Sequence, residues 1–245
     1  MTNIAVFDSG LGGVATVKNI IDKRNNYYFV GDIKRVPYGD RQKDEIIKYS
    51  KEIVDYLNGF DIDYFIVACN TICVSAIDYL RENYDYKFVS IVDCGLESIK
   101  KTDGDVAVLS TKRTYDSHFY KNNVKDRNVY EISSPGLVPI IEDGLRDRDS
   151  LNKYLKEYLK IANEKQIPNI LLGCTHFPLV KDFIMENLDY NANIIDPSDY
   201  LKENIPSTSD IERHKILLTD IMENTQKMVD RIFGKPTKIN KIDLK

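Results

Sequence analysis

Asn169-Ile170-Leu171-Leu172-Gly173-Cys174-Thr175-His176-Phe177-Pro178 is the stretch that decides the fold. An apolar run ends in a cysteine, two polar residues and a breaker. Short apolar runs bounded in this way read as strands buried on both faces of a parallel sheet. Tyr64-Phe65-Ile66-Val67-Ala68-Cys69-Asn70-Thr71 has the same form far upstream. Each run delivers a cysteine to a strand tip, the edge at which open α/β sheets bind ligands.

Working outward, Asn3-Ile4-Ala5-Val6-Phe7 predicts a first strand, Asp8-Ser9-Gly10-Leu11-Gly12-Gly13 a tight turn, and 14–21 a helix. A helix N-terminus behind a glycine-rich turn can receive an anion. The turn is neither a dinucleotide fingerprint nor a Walker loop, because Gly-Lys-Ser/Thr is missing. Further strands are expected at 27–30, 88–92, 106–109, 129–132, 192–195 and 216–218, with a tail strand near 239–244 that returns to the first domain. Helices are expected over 44–57, from 74, over 96–99, from 115, over 150–162, 179–188 and 221–233. Asp196-Pro197-Ser198 reads as a closing turn, and 204–210 as a linker.

Ala5-Val6-Phe7-Asp8-Ser9 resembles Ala107-Val108-Leu109-Ser110-Thr111, and Cys69 and Cys174 recur at nearly the same offset. The two offsets suggest two copies of one α/β half, with a chance match of so short a stretch as the rival reading. The expected architecture is α/β: two similar open-sheet α/β domains facing each other across a central cleft, pseudo-twofold related. The first takes residues 1–92 plus 206–245 and carries Asp8 and Cys69. The second takes 93–205 and carries Cys174 and His176.

Composition bounds the function. The chain has 245 residues, 42% of them hydrophobic, which is enough for a substantial core. Lys plus Arg number 34 against 38 Asp plus Glu, a net charge of −4, which gives no support for a nucleic-acid or anionic-membrane partner. No run has the length of a membrane span, and no leader-like segment opens the chain. Four scattered cysteines do not form a disulfide framework, so a cytoplasmic location with reduced thiols is expected.

A thiolate is a strong nucleophile and a usable base, and it needs help to ionise near neutral pH. Asp8, at the tip of a neighbouring strand, is a candidate partner for Cys69, and His176 for Cys174. Two thiols across a cleft suit one reaction type: one removes a proton from carbon and the other returns a proton to the opposite face. Three other readings stand beside this one. Buried cysteine is commonly core, which suits Cys73 and Cys94. A metal could take Cys69, Cys73, Cys174 and His176, although the spacing is not a zinc pattern. A cysteine hydrolase could use Cys174 and His176 alone. His118 and His214 carry no assignment.

Asp8-Ser9-Gly10-Leu11-Gly12-Gly13, Arg35-Val36-Pro37-Tyr38-Gly39, Ala68-Cys69-Asn70-Thr71 and Leu172-Gly173-Cys174-Thr175-His176 together resemble glutamate racemase, in the aspartate/glutamate racemase superfamily. The end of the chain, Phe233-Gly234 with Ile242-Asp243-Leu244, is similar as well. The resemblance implies an enzyme without cofactor or metal that interconverts L- and D-glutamate and supplies D-glutamate for peptidoglycan. It implies Cys69 as the base for the D-enantiomer and Cys174 for the L-enantiomer, supported by Asp8 and His176. It implies Ser9, Pro37, Tyr38, Gly39, Asn70, Thr71, Thr114 and Thr175 around the substrate, Glu142 as a supporting acid, and a homodimer. Cys73, Asp93-Cys94, Ser133-Ser134 and Phe177 depart from the family's usual residues. They leave aspartate or another small acidic amino acid open as substrate. A binding protein without catalysis is the remaining alternative, although a binder has no need of opposed thiols.

Overall fold

The structure is a computed structural model and describes residues 1–244. The chain alternates strand and helix from its start: β1 (Asn3–Asp8), α1 (Gly12–Ile20), β2 (Asn26–Gly31), α2 (Lys43–Leu57), β3 (Tyr64–Val67), α3 (Asn70–Asn83), β4 (Lys87–Ser90) and α4 (Ile91–Lys100). The middle runs β5 (Val106–Ser110), α5 (Lys112–Asp116), α6 (Phe119–Asn123), β6 (Val129–Ser133), α7 (Leu137–Glu142), α8 (Arg148–Tyr158) and α9 (Lys160–Lys165). The remainder is β7 (Asn169–Gly173), α10 (Lys181–Glu186), β8 (Asn193–Ile195), α11 (Pro197–Asn204), β9 (Arg213–Leu218), α12 (Thr225–Phe233) and β10 (Ile239–Lys241).

Among the described residues these strands form two sheets, ordered β10-β9-β2-β1-β3-β4 and β6-β5-β7-β8, with every pairing parallel. This is the α/β architecture with two open sheets that the paired cysteine strands imply. The order β2-β1-β3-β4 repeats as β6-β5-β7-β8, so β3 and β7, the strands that lead to the cysteines, hold equivalent places. Parallel sheets need cover on both faces. Accordingly β5 and β7 are buried at every position, and β1 at all but its first. Phe7, Phe29, Phe65 and Ile66 fill the first sheet's core.

Local chemistry moved several boundaries. β4 stops at Ser90, not 92, and α4 begins at once. Ser90 takes the extended cap conformation, and Asp93 sits in the first turn, where the helix end is positive. α3 likewise begins at Asn70, well before 74, because Cys69 itself occupies the cap position. The helix expected over 150–162 divides at Leu159 into α8 and α9. Residues 221–224 are a turn, not the start of α12: the Ile221 N–H donates to Asp220 and the Met222 N–H to Thr225 Oγ1, both at 2.9 Å. The region from 179 starts as a 3-10 turn, Phe177–Val180, before α10. Asp196-Pro197-Ser198 starts a helix, α11, in place of the expected closing turn. The Asp196 carboxylate accepts the Ser198 N–H at 2.9 Å, and Pro197 fits the first turn.

Ile66 is fully buried in β3, which lies between β1 and β4. Ile66→Ala is expected to cost about 2–5 kcal/mol through lost burial and the cavity left behind. A urea midpoint within error of the parent's would contradict this packing.

Candidate active site

Both cysteines stand where a strand gives way to a turn, Cys69 two residues beyond β3 and Cys174 directly after β7. They come from different sheets, yet both line one cavity of about 60 Å³, with space for a few waters. Cys69 is 5% exposed and Cys174 6%, and both are free thiols. Ser9, Asn70, Thr71, Thr111, Ser134 and Thr175 add hydroxyl and amide groups to the same wall.

Cys69 sits among oxygen atoms. Its Sγ lies 3.3 Å from Ser9 Oγ. Asp8 Oδ1 accepts the Ser9 N–H at 2.7 Å and fixes that residue's backbone. Asp8 is adjacent because β1 and β3 pair in register, Phe7 against Val67. Burial pushes the Cys69 thiol well above its ordinary range, and the Asp8 charge pushes the same way. The Ser9 hydrogen bond offsets only part of this.

Cys174 faces an imidazole instead. Its Sγ lies 3.7 Å from His176 Nδ1. His176 Nε2 lies 2.8 Å from Glu142 Oε1, at the end of α7. The Leu11 N–H, at the start of α1, donates to the same Glu142 oxygen at 3.0 Å. The Gly12 N–H points at His176 Nε2 from 3.2 Å. That nitrogen cannot both donate to Glu142 and accept from Gly12. The shorter contact, to a carboxylate that a second N–H also stabilises, favours a proton on Nε2. Burial alone would lower the pKa of His176, but the Cys174 and Glu142 contacts outweigh it and hold the ring well above 6.5. Burial would raise Glu142, and its hydrogen bond and attraction to His176 bring it below 4.5 instead.

The two sides are joined. The Thr175 hydroxyl donates to Asp8 Oδ2 at 2.8 Å, linking the Cys174 turn to the Cys69 side. Gly12 makes this approach possible: a Cβ there would lie 2.4 Å from Thr175 Oγ1 and 2.6 Å from His176 Nδ1.

Pro37, Tyr38 and Gly39 line the cavity as a turn that follows a cis Val36–Pro37 bond. The buried Tyr38 hydroxyl donates to Asp32, which Arg35 also contacts, and Thr219 Oγ1 donates to Asp32 Oδ1 at 2.8 Å. Arg35 reaches Glu52 of α2 as well. Asn70 holds its carbonyl oxygen to the Tyr120 hydroxyl at 3.1 Å.

Thr114 is placed differently from the expectation. It is buried behind the wall and meets Thr111 Oγ1 at 3.2 Å, while Thr111 lines the cavity and touches Thr71 Oγ1 at 2.9 Å. Thr111 and Ser134 were missed as lining residues. The signal for Thr111 was present, since it follows β5 as Ser9 follows β1. Ser134, one residue past β6, had no such marker. Cys73 and Cys94 are buried outside the cavity lining. His118 pairs with Glu131 at 2.7 Å, and His214 stacks on Phe233. Among the described residues, no three or more His, Cys, Asp or Glu side chains group to hold a metal ion.

The His176–Glu142 pair has a defined pH window. A raised histidine stabilises the fold fully below 6.5, and that share fades as pH rises through its folded value. A lowered glutamate stabilises fully above 4.5, and that share fades as pH falls through its folded value. Both contributions are complete between those limits. In ring ¹⁵N spectra, His176 is expected to stay doubly protonated above pH 6.5 and to lose its proton at lower pH in Glu142→Gln. A parent ring already neutral at 6.5 would contradict the assignment.

Comparison with known proteins agrees with this geometry. Residues 15–202 match the model of the family described as Asp/Glu/Hydantoin racemase. The chain is 37% identical to the glutamate racemase of Persephonella marina, with 99% of this chain and 97% of that protein covered. Glutamate racemase isoform RacE1 from Bacillus anthracis superposes with a TM-score of 0.91 at 25% identity, covering 99% of this chain and 98% of that one. The Francisella tularensis glutamate racemase, crystallised in complex with D-glutamate, gives 0.87 at 26% identity over 99% and 98% of the two chains. With two like-ordered parallel sheets and a family match over most of its length, this chain belongs to the Asp/Glu/Hydantoin racemase family.

Proposed function

We propose that this chain interconverts L-glutamate and D-glutamate by moving one proton at the α carbon. The observation that carries the reading is the shared cavity, into which the two sheets deliver Cys69 and Cys174, each beside its own polar partner.

The reaction is redox-neutral, so proton transfer alone completes it. Cys174 as thiolate takes the α-proton of L-glutamate, and Cys69 as thiol returns a proton to the opposite face. The reverse direction exchanges these roles. His176, protonated and held by Glu142, sets a positive charge beside the Cys174 thiolate. Asp8 supports Cys69 by fixing Ser9, whose hydroxyl beside the sulfur offsets part of the burial that opposes the thiolate. As the α-proton leaves, charge builds on the substrate carboxylate. The side chains of Ser9, Asn70, Thr71 and Thr111 and the backbone N–H of Thr175 supply donors for it in a site with little water. The Pro37-Tyr38-Gly39 turn holds the side-chain end. Thr114 acts one step back, by orienting Thr111.

The same proposal includes the division into residues 1–92 plus 206–245 and residues 93–205, with the cleft between them. It also includes a cytoplasmic homodimer that supplies D-glutamate for peptidoglycan. Among the described residues no helix is long and apolar enough to cross a membrane.

The test is incubation of the purified chain with each enantiomer of glutamate and of aspartate in deuterated water, without added cofactor. Loss of optical rotation and α-deuterium uptake are expected with glutamate. Deuterium entering aspartate alone would reassign the substrate, and none in either would leave only a binding role. Cys69→Ala and Cys174→Ala are each expected to lower kcat by about 10²–10⁴-fold or more, the usual worth of a positioned acid or base. Full activity in either variant would remove the two-base mechanism.

A further inference from the structure

Cys174 lines a second cavity besides the one that takes substrate. This space is about 20 Å³, the size for a single water. Thr16, Asn70, Thr175, Asp196 and Ser198 give it polar walls, and Ala15, Ile91 and Leu172 are among its apolar ones. Asp196 directly follows β8, which pairs with β7, so its carboxylate comes to the same sheet edge as Cys174. One of its oxygens caps α11, at 2.9 Å from the Ser198 N–H. The Ser198 side chain hydrogen-bonds the same carboxylate. Asp196 as a residue is partly exposed.

A two-base reaction creates a need at this place. Each passage from the L to the D enantiomer leaves the substrate's α-proton on Cys174. That proton must leave before Cys174 can act as base again. While substrate or product fills the first cavity, its exit on that side is blocked.

On the reading that Cys174 is a base for glutamate, we propose that Asp196 and one water in the second cavity exchange the Cys174 proton with bulk solvent. The water takes the proton from Sγ and passes one of its own to the Asp196 carboxylate, which releases it at the exposed edge. In the net change Cys174–SH becomes the thiolate and its proton enters bulk solvent, from which Cys69 regains one, and no bond to carbon changes. Asp196 does not touch substrate, so it is a positioning residue for this water. Burial pushes its carboxyl above the usual carboxylate range, which brings it nearer to a thiol in proton affinity.

The alternative is that Asp196 only caps α11. Asn and Ser are also good caps but carry no exchangeable acid. Asp196→Asn and Asp196→Ser therefore separate the two roles, and Thr16→Val removes a water partner without touching the cap. Each protein is given α-deuterated L-glutamate together with ¹³C-labelled, undeuterated D-glutamate in ordinary water. Deuterium in the ¹³C-labelled L-glutamate reports label that stayed on Cys174 between two turnovers. Carry-over per turnover is expected to be small in the parent and to rise several-fold in all three variants. Parental carry-over in both Asp196 variants overturns the relay. A parent that racemises no glutamate removes the functional reading itself, and the relay with it, and is told apart by that control.

Discussion

The N–H groups that open α1 are the contact on which the site depends. A helix start leaves such groups without partners in its own helix. Here the Leu11 N–H donates to Glu142, which lies near the second sheet. Charge and geometry agree, because the positive end of a helix meets a carboxylate. Gly12 is small enough for Thr175 to reach Asp8 beside it. The two sheets are thereby held in the one register that lets two thiols share a cavity.

The surroundings of those thiols are unlike. Cys69 has a carboxylate and a hydroxyl near it, and Cys174 an imidazole backed by a carboxylate. An anion beside Cys69 opposes its ionisation, whereas the group beside Cys174 is an imidazole held well above its ordinary range. The symmetry of the strand order does not extend to the electrostatics. A racemase acts on mirror-image substrates with a chiral protein, so its two halves have no reason to match in charge.

Much of this was legible in the sequence, for physical reasons. Apolar runs such as 64–68 and 169–172 have few alternatives to buried parallel strands, and Asp8, Cys69 and Cys174 sit where those runs end. The pairing of Cys174 with His176 followed from spacing. Their link to Glu142 came from the family resemblance, since 34 residues separate Glu142 from His176 and only the folded chain joins them. Helix starts were read late at Asn70 and Ile91, because extended residues at the cap resemble the end of a strand. α11 opens at Asp196-Pro197, a sound helix start, but the same residues also suit the turn that ends a short strand. Thr111 was hidden behind Thr114, and deciding which of two neighbouring hydroxyls faces a cavity requires the turn's geometry.

The order of strands also bears on how the chain is made. The second sheet draws on one unbroken stretch, β5 to β8, whereas the first begins with β1 and is completed only by β9 and β10. On a ribosome the segment that emerges first therefore waits longest for its outer strands, while the later sheet closes before it. Until β9 arrives, β2 keeps an open edge of backbone groups, through which a nascent chain can pair with the wrong neighbour.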